Sequence, residues 1–360
     1  MRFAGTFLVA ISLIVAFYLS AEISLARITF FESIGEIFMS ADLFQDSEVT
    51  TKNESILLVG DVMLARDVEL KMREYGSDYP YQYLEDIFVS HTYQVGNFEG
   101  SIPLNHSLTQ SMELQFSVDP IHTQAFAHAS FTHASLANNH SRDFGTSGYE
   151  NTKLELHTVG VATFGQSYSV ASSSVSVLEL GQKKVALLGI DVTLSVPDTK
   201  ELESAFKLGV AQSDFLIVFV HWGVEYAPIH SSQQEFYAKQ FIELGADMIV
   251  GHHPHVVQDV QIYDGVPVFY SLGNFIFDQY FNEEVQSGLA LSVSFEEGLN
   301  VGLIPITSLA SKIAPRIMGS FEKDMMLQDL TKKSDKTLSD QILFGELSFT
   351  SRLAVSPQID

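Results

Sequence analysis

The chain contains no cysteine in 360 residues. Disulfides and thiolate ligands are therefore excluded, and any metal must be held by His, Asp, Glu or Asn. The absence fits an extracytoplasmic protein without requiring one. Positive charge is scarce too: 20 Lys and Arg stand against 44 Asp and Glu, a formal net charge of −24. Such a chain lacks the basic face of a non-specific nucleic-acid binder. The same imbalance disfavours docking on anionic lipid through basic residues, and it says nothing about fold. There is no nucleotide-binding motif, no Gly-x-Ser-x-Gly elbow and no internal repeat. What remains is a 46% apolar chain, enough for a real core and longer than one small domain needs.

Long uncharged runs are rare, and the main one is N-terminal. After Met1 and Arg2, "FAGTFLVAISLIVAFYL" runs from Phe3 to Leu19 without a charge. It sits at the short end of the roughly 17–25 residues of a spanning helix and exceeds the roughly 7–15 of a cleavable signal core. "SLA" at 24–26 offers a small-x-small cleavage site after Ala26. Residues 1–26 thus read as a signal anchor or a cleaved signal peptide, with the anchor favoured. Arg2 before the run and Glu22 after it suit an inside N-terminus and an extracytoplasmic body; cleavage near Ala26 would give a secreted or periplasmic one. Residues 27–54 are acidic and polar, a stalk.

From Ser55 short β-branched runs alternate with helical patterns, and each run ends in Gly, Asn, Asp or His: "SILLVGDVML", "HASLANNHSRDFG", "KVALLGIDV", "FLIVFVHWGVEY", "ADMIVGHHPHV" and "VPVFYSLGNFIFD". Continuous apolar runs of this length predict strands buried on both faces. The alternation predicts an α/β sheet covered by helices, with its ligand site beyond the strand C-termini. "QQEFYAKQFIELG" predicts one helix, stopped at Gly245. "SGLALSVSF" and "VGLIPI" predict strands at a sheet edge, and 311–360 a C-terminal extension.

Polar residues with ligand chemistry gather at these strand ends. Asp61 closes the first run. Asn97 and Glu99 stand in "VGNFEGS", where Glu99 precedes Gly100 after an apolar approach. Asn138, Asn139 and His140 close the next, and Asp143 follows within reach of His140 or of the next helix start. His221 ends "FLIVFVH" and leads into Trp222 and Glu225. Trp222 either lines a pocket or packs beside the sheet. In "GHHPHV", an extended backbone would turn His253 and His255 to one side and His252 to the other, leaving His252 out of the ligand set. Asp61, Glu99, Asn139, His221, His253 and His255 at strand ends of one sheet predict a metal site. A mixed oxygen and imidazole shell suits Zn, Mn or Fe rather than Ca. Six ligands exceed one tetrahedral ion's needs, which predicts two ions, about 3.5–4 Å apart, sharing a carboxylate.

Six ordered motifs carry a family resemblance: "GDVML" at 60–64, "GNFEGSI" at 96–102, "NNHSRDFG" at 138–145, "HWGVEY" at 221–226, "GADMIVGHHPHVVQ" at 245–258 and "YSLGNFIFD" at 270–278. Over residues 55–310 the chain resembles the capsule-synthesis CapA family, also called the PgsA or poly-γ-glutamate capsule family. That family is similar to the calcineurin-like metallophosphoesterases. The resemblance implies a four-layer αββα sandwich with a two-metal centre. It implies Asp61 and His255 on one ion, Asn139, His221 and His253 on the other, and Glu99 as the bridging carboxylate with Asn97 close by. His140 takes the position that faces the leaving group. The implied setting is capsular or exopolymer synthesis at the cell membrane, with synthesis and export proteins as partners and an anionic polymer or phosphoester as substrate. Two departures stand out: Met63 occupies the place of the usual first-motif imidazole, and "GNFEG" replaces the usual Gly-Asp-x-x-Asp. They leave two functions open, a metal-dependent phosphoesterase and a non-catalytic metal- or polymer-binding accessory subunit.

Overall fold

The computed structural model describes residues 53–350 apart from Met112 and Glu297. The expected signal or anchor and nearly all of the stalk lie outside the described residues. Among the described residues no helix is long and apolar enough to cross a membrane.

The strand runs build a mixed α/β fold with two sheets, the number the family resemblance implies, rather than the single sheet read from the strand pattern. In the larger, Asn53–Val62, His91–Phe98, His133–Ser135 and Ala162–Phe164 lie side by side and parallel. Ser287–Ser294, Leu299–Thr307 and Arg316–Ile317 continue it antiparallel on the other flank. In the smaller, Lys183–Asp191, Phe215–His221, Met248–His252 and Val266–Phe269 are parallel, with Val175–Leu180 and Val260–Tyr263 at the edges.

Alternation of side chains along each strand explains the layering. Ile56, Leu58 and Val95 share one core with Leu187, Phe219 and Val250, so the two sheets pack on each other. Leu57 and Val59 point the opposite way, against Val68 and Met72 of helix Arg66–Tyr75 and Leu156 of helix Gly145–Thr158. Leu188 and Val218 face Phe206 of helix Thr199–Gln212 and Phe241 of helix Ser232–Glu243. Because both faces of the central strands are covered, the strands read as unbroken apolar runs, and the sequence could not show how they divide between sheets.

The helix expected around 233–245 spans Ser232–Glu243, opened by a Ser231–Gln234 capping box and followed by Gly245 at φ 113°. The strand expected at an edge, Ser287–Ser294, instead pairs directly with Asn53–Val62. Residues beyond 310 make the difference: Arg316–Ile317 and Glu346–Phe349 both pair with Leu299–Thr307 and move the edge outward.

One strand has no room for a side chain. A Cβ on Gly251 would lie 2.0 Å from the Tyr270 carbonyl oxygen and 2.4 Å from Trp222 Nε1. Gly251→Ala is expected to lower stability by about 3 kcal/mol, read as a fall in denaturant midpoint at constant slope. A midpoint equal to wild type would contradict this packing.

Candidate metal centre

Strand register builds the centre. In the larger sheet Asn274, Asp61, Asn97 and Ser135 stand in one row across four adjacent parallel strands. In the smaller sheet Asp191, His221 and His252 form a second row. Loops leaving these rows supply Glu99, Asn139, His140, Glu225, His253 and His255. The expectation of one sheet is thus corrected: two sheets present their C-terminal rims to a common site.

Asn97 ties the rim together. Its amide nitrogen donates to Asp61 Oδ1 at 2.8 Å and Glu99 Oε2 at 3.3 Å, and lies 3.4 Å from His221 Nδ1. Asn138 in turn donates to Asn97 Oδ1 at 3.0 Å and to the Phe98 carbonyl at 2.9 Å. His221 Nε2 is 2.8 Å from Asn139 Oδ1. His255 Nδ1 lies 3.0 Å from Asn274 Oδ1 and 3.2 Å from Asp61 Oδ2, while its Nε2 is 3.8 Å from Glu99 Oε1.

At this rim two groups of side chains bring ligand atoms within 4.8 Å of one another: Asp61, Glu99 and His221 form one, and Glu225, His253 and His255 the other. His253 and His255, implied by the resemblance to serve different ions, stand in one group of free side chains, which assigns neither to an ion. Neither is extended; φ is 96° at His253 and 59° at His255, a tight turn that brings their rings to 6.0 Å. The turn also carries them to Glu225, expected only as a pocket wall. His252 faces away, its Nε2 3.3 Å from the Val59 carbonyl and its ring stacked on Phe219.

The donor set fits a divalent cation. Glu99 Oε1 and His253 Nδ1 are buried and have no hydrogen-bond partner among the described residues. Buried polar atoms left unpaired are destabilising, and a cation between carboxylates and imidazoles would satisfy both. Asp61, Glu99, Asn139, His221, His253 and His255, with Glu225 beside them, are the residues that would hold one or two such ions. Met63 adds no nitrogen; it is fully buried and its Sδ accepts the Ala65 N–H at 3.0 Å.

Charges in the centre are strongly coupled. Burial pushes the Glu99 carboxyl well above the usual carboxylate range, and the Asp61 charge adds to the rise. Burial also raises Asp61, but its hydrogen bond to His255 and the His255 charge outweigh this and leave it below its ordinary value. Burial alone would lower His255; the Glu99 and Asp61 charges prevail and hold it at about 9. Burial, with nearby imidazoles, drives His221 well down and His253 to about 4. Protonated His255 is therefore the centre's own cation when no metal is bound. A ligating nitrogen must be deprotonated, so metal uptake near neutral pH is expected to release the His255 proton and to tighten as pH rises toward about 9. Calorimetry in buffers of differing ionisation heat measures this; uptake without proton release would contradict it.

His140 stands beside both groups. Its Nδ1 is 2.9 Å from Asp143 Oδ2, and its Nε2 faces Glu99 Oε1 at 3.9 Å. Asp143 thus orients His140; the Phe116 N–H donates to the same carboxylate oxygen at 2.6 Å, and no side chain caps the helix that follows. Phe116 stacks on the His140 ring with centroids 3.9 Å apart. Trp222 is fully buried, stacked on Tyr270 with its indole N–H donating to the Tyr270 carbonyl at 2.8 Å, and it is among the residues that line a cavity with His253.

Sequence reasoning missed Asn274, Phe116 and Asp191 as site residues. Asn274 sits in the last shared motif, and Asp191 ends a strand as Asp61 does, so both carried a usable signal. Asp191 is buried, with Oδ2 unpartnered among the described residues. Phe116 comes from an irregular loop and carried none.

Comparison with known proteins adds a family. The family described as bacterial capsule synthesis protein PGA_cap matches residues 55–279. A Bacillus subtilis protein named PGA biosynthesis protein CapA is 28% identical over 332 residues, covering 87% of either chain. The capsule biosynthesis protein CapA of Bacillus anthracis is 29% identical, covering 84% of this chain and 80% of its own. A probable polyglutamine synthesis accessory protein of Mycobacterium tuberculosis is 24% identical over 201 residues, 49% of this chain and 51% of its own.

Proposed function

The chain belongs to the PGA_cap family of bacterial capsule synthesis proteins, and from that premise we propose that it is a membrane-anchored, exported protein of capsular or exopolymer biosynthesis with a metal-dependent phosphoesterase site. The polymer is poly-γ-glutamate or a polysaccharide. The body is read as a four-layer metallophosphoesterase-like sandwich, an assignment supported by the two helix-covered sheets. The single observation that carries the reading is the cluster of buried Asp61, Glu99 and His221 against His253, His255 and the exposed Glu225, with Glu99 Oε1 left unpaired.

Two divalent ions, of Mn, Zn or Fe, would supply Lewis-acid charge for a phosphate and a water of lowered pKa. The chain's own residues do the rest. Asn97 and Asn138 fix the carboxylates. Asp143 holds the His140 ring so that Nε2 faces the centre, where it can donate a proton to a leaving oxygen. Phe116 covers one face of that ring and restricts its rotation.

A second reading, a non-catalytic metal- or polymer-binding subunit of a synthesis and export complex, is favoured by Met63 in place of an imidazole and by the accessory role in the name of the mycobacterial relative. Metal analysis with phosphoesterase assays in Mn²⁺ or Zn²⁺ separates the two. Stoichiometric metal with turnover supports the enzyme; full loading without turnover across a broad substrate panel supports the accessory subunit.

A further inference from the structure

A cavity of about 150 Å³ lies beside the metal centre, lined among others by Thr193, Trp222, Gln233, Tyr237 and His253. It sits between the loops that follow Asp191 and His221, which stand in register on adjacent strands. Its polar groups are not all used by the fold. Tyr237 is only 6% exposed and its hydroxyl makes no hydrogen bond among the described residues, which leaves it free to meet a ligand; Gln233 is exposed, and its amide is likewise uncommitted. The Trp222 indole N–H is already committed to the Tyr270 carbonyl and is not available to a ligand.

The lining contains no Lys, Arg, Asp or Glu. A charged group entering would lose its hydration without gaining a counter-charge. A purely apolar group would strip water from the Tyr237 hydroxyl without replacing its hydrogen bond. The volume matches about five water molecules at roughly 30 Å³ each, room for a small substituent. We infer that this cavity is a substrate subsite reading an uncharged hydroxyl- or amide-bearing group next to the phosphate. The inference rests on the phosphoester reading of the neighbouring centre.

Calorimetry on the full-length chain loaded with Mn²⁺ tests it, with glycerol 3-phosphate and inorganic phosphate as probes. Wild type is expected to bind glycerol 3-phosphate about tenfold more tightly, the effect of one or two net hydrogen bonds. The double variant Tyr237→Phe/Gln233→Ala keeps the aromatic ring, so phosphate affinity should hold while the preference disappears. Equal affinities in wild type, or a preference that survives in the double variant, overturn the subsite. Failure of the loaded wild type to bind either probe overturns the phosphoester reading itself, and the subsite with it.

Discussion

Replacing His140 with alanine is expected to slow phosphoester hydrolysis by about 10²- to 10⁴-fold, the usual range for one general acid, while metal content stays at its wild-type value. The separation follows from geometry. His140 belongs to neither ligand group, and its Nε2 is 3.9 Å from Glu99 Oε1, near the centre without being one of its grouped donors. Its other nitrogen is engaged by Asp143 at 2.9 Å. Asp143→Asn should accordingly lose part of the rate, because an amide can hold the ring but stabilises the protonated imidazole less. Steady-state assays with metal quantified on the same samples check both. Metal lost together with rate in His140→Ala would mean that His140 is a ligand.

Glu99→Gln is expected to move two properties in opposite directions. Stability of the metal-free protein should rise, by about 1–3 kcal/mol, because a buried and incompletely paired carboxylate is replaced by a neutral group of the same shape. Metal affinity should fall by about 100-fold or more, beyond the loss usual for supporting residues around a metal. The sign of the pH dependence follows from the raised Glu99 pKa. A carboxyl that holds its proton more tightly when folded destabilises the protein as pH rises above its unfolded value, and the penalty levels off above its folded value. The gain from Gln should therefore vanish as pH falls into the ordinary glutamate range, grow as pH rises above it, and level off only above the raised folded value. Thermal unfolding of chelator-treated protein across pH, with calorimetric metal titration, reads both effects. A Gln variant less stable than wild type without metal would show that Glu99 serves the fold rather than the ion.

The sequence was most informative where local chemistry and strand ends coincide. Asp61, His221 and the histidines after Val250 were legible because an apolar run broken by a polar ligand type has few structural explanations. Division of those runs between two sheets was not legible, since strands covered on both faces carry no mark of the partner they pack against. The grouping of His253 and His255 depends on two left-handed residues around Pro254, a conformation that the sequence does not announce for histidine. Asn97 was placed near the carboxylates, but its position among Asp61, Glu99 and His221 needs the register of parallel strands. Phe116 reaches His140 from a loop whose path no periodicity predicts.

This rim is expected to bind divalent metal. Elemental analysis of the full-length chain after equilibration with Mn²⁺, Zn²⁺ or Fe²⁺ and removal of free ion tests it most directly. Wild type is predicted to retain about two ions per chain, as expected for a two-metal centre, and the paired variant His221→Ala/His253→Ala, with one imidazole removed from each group, close to none. Wild-type protein that retains no stoichiometric metal, or a paired variant that retains as much as wild type, would show that these side chains are not a metal centre.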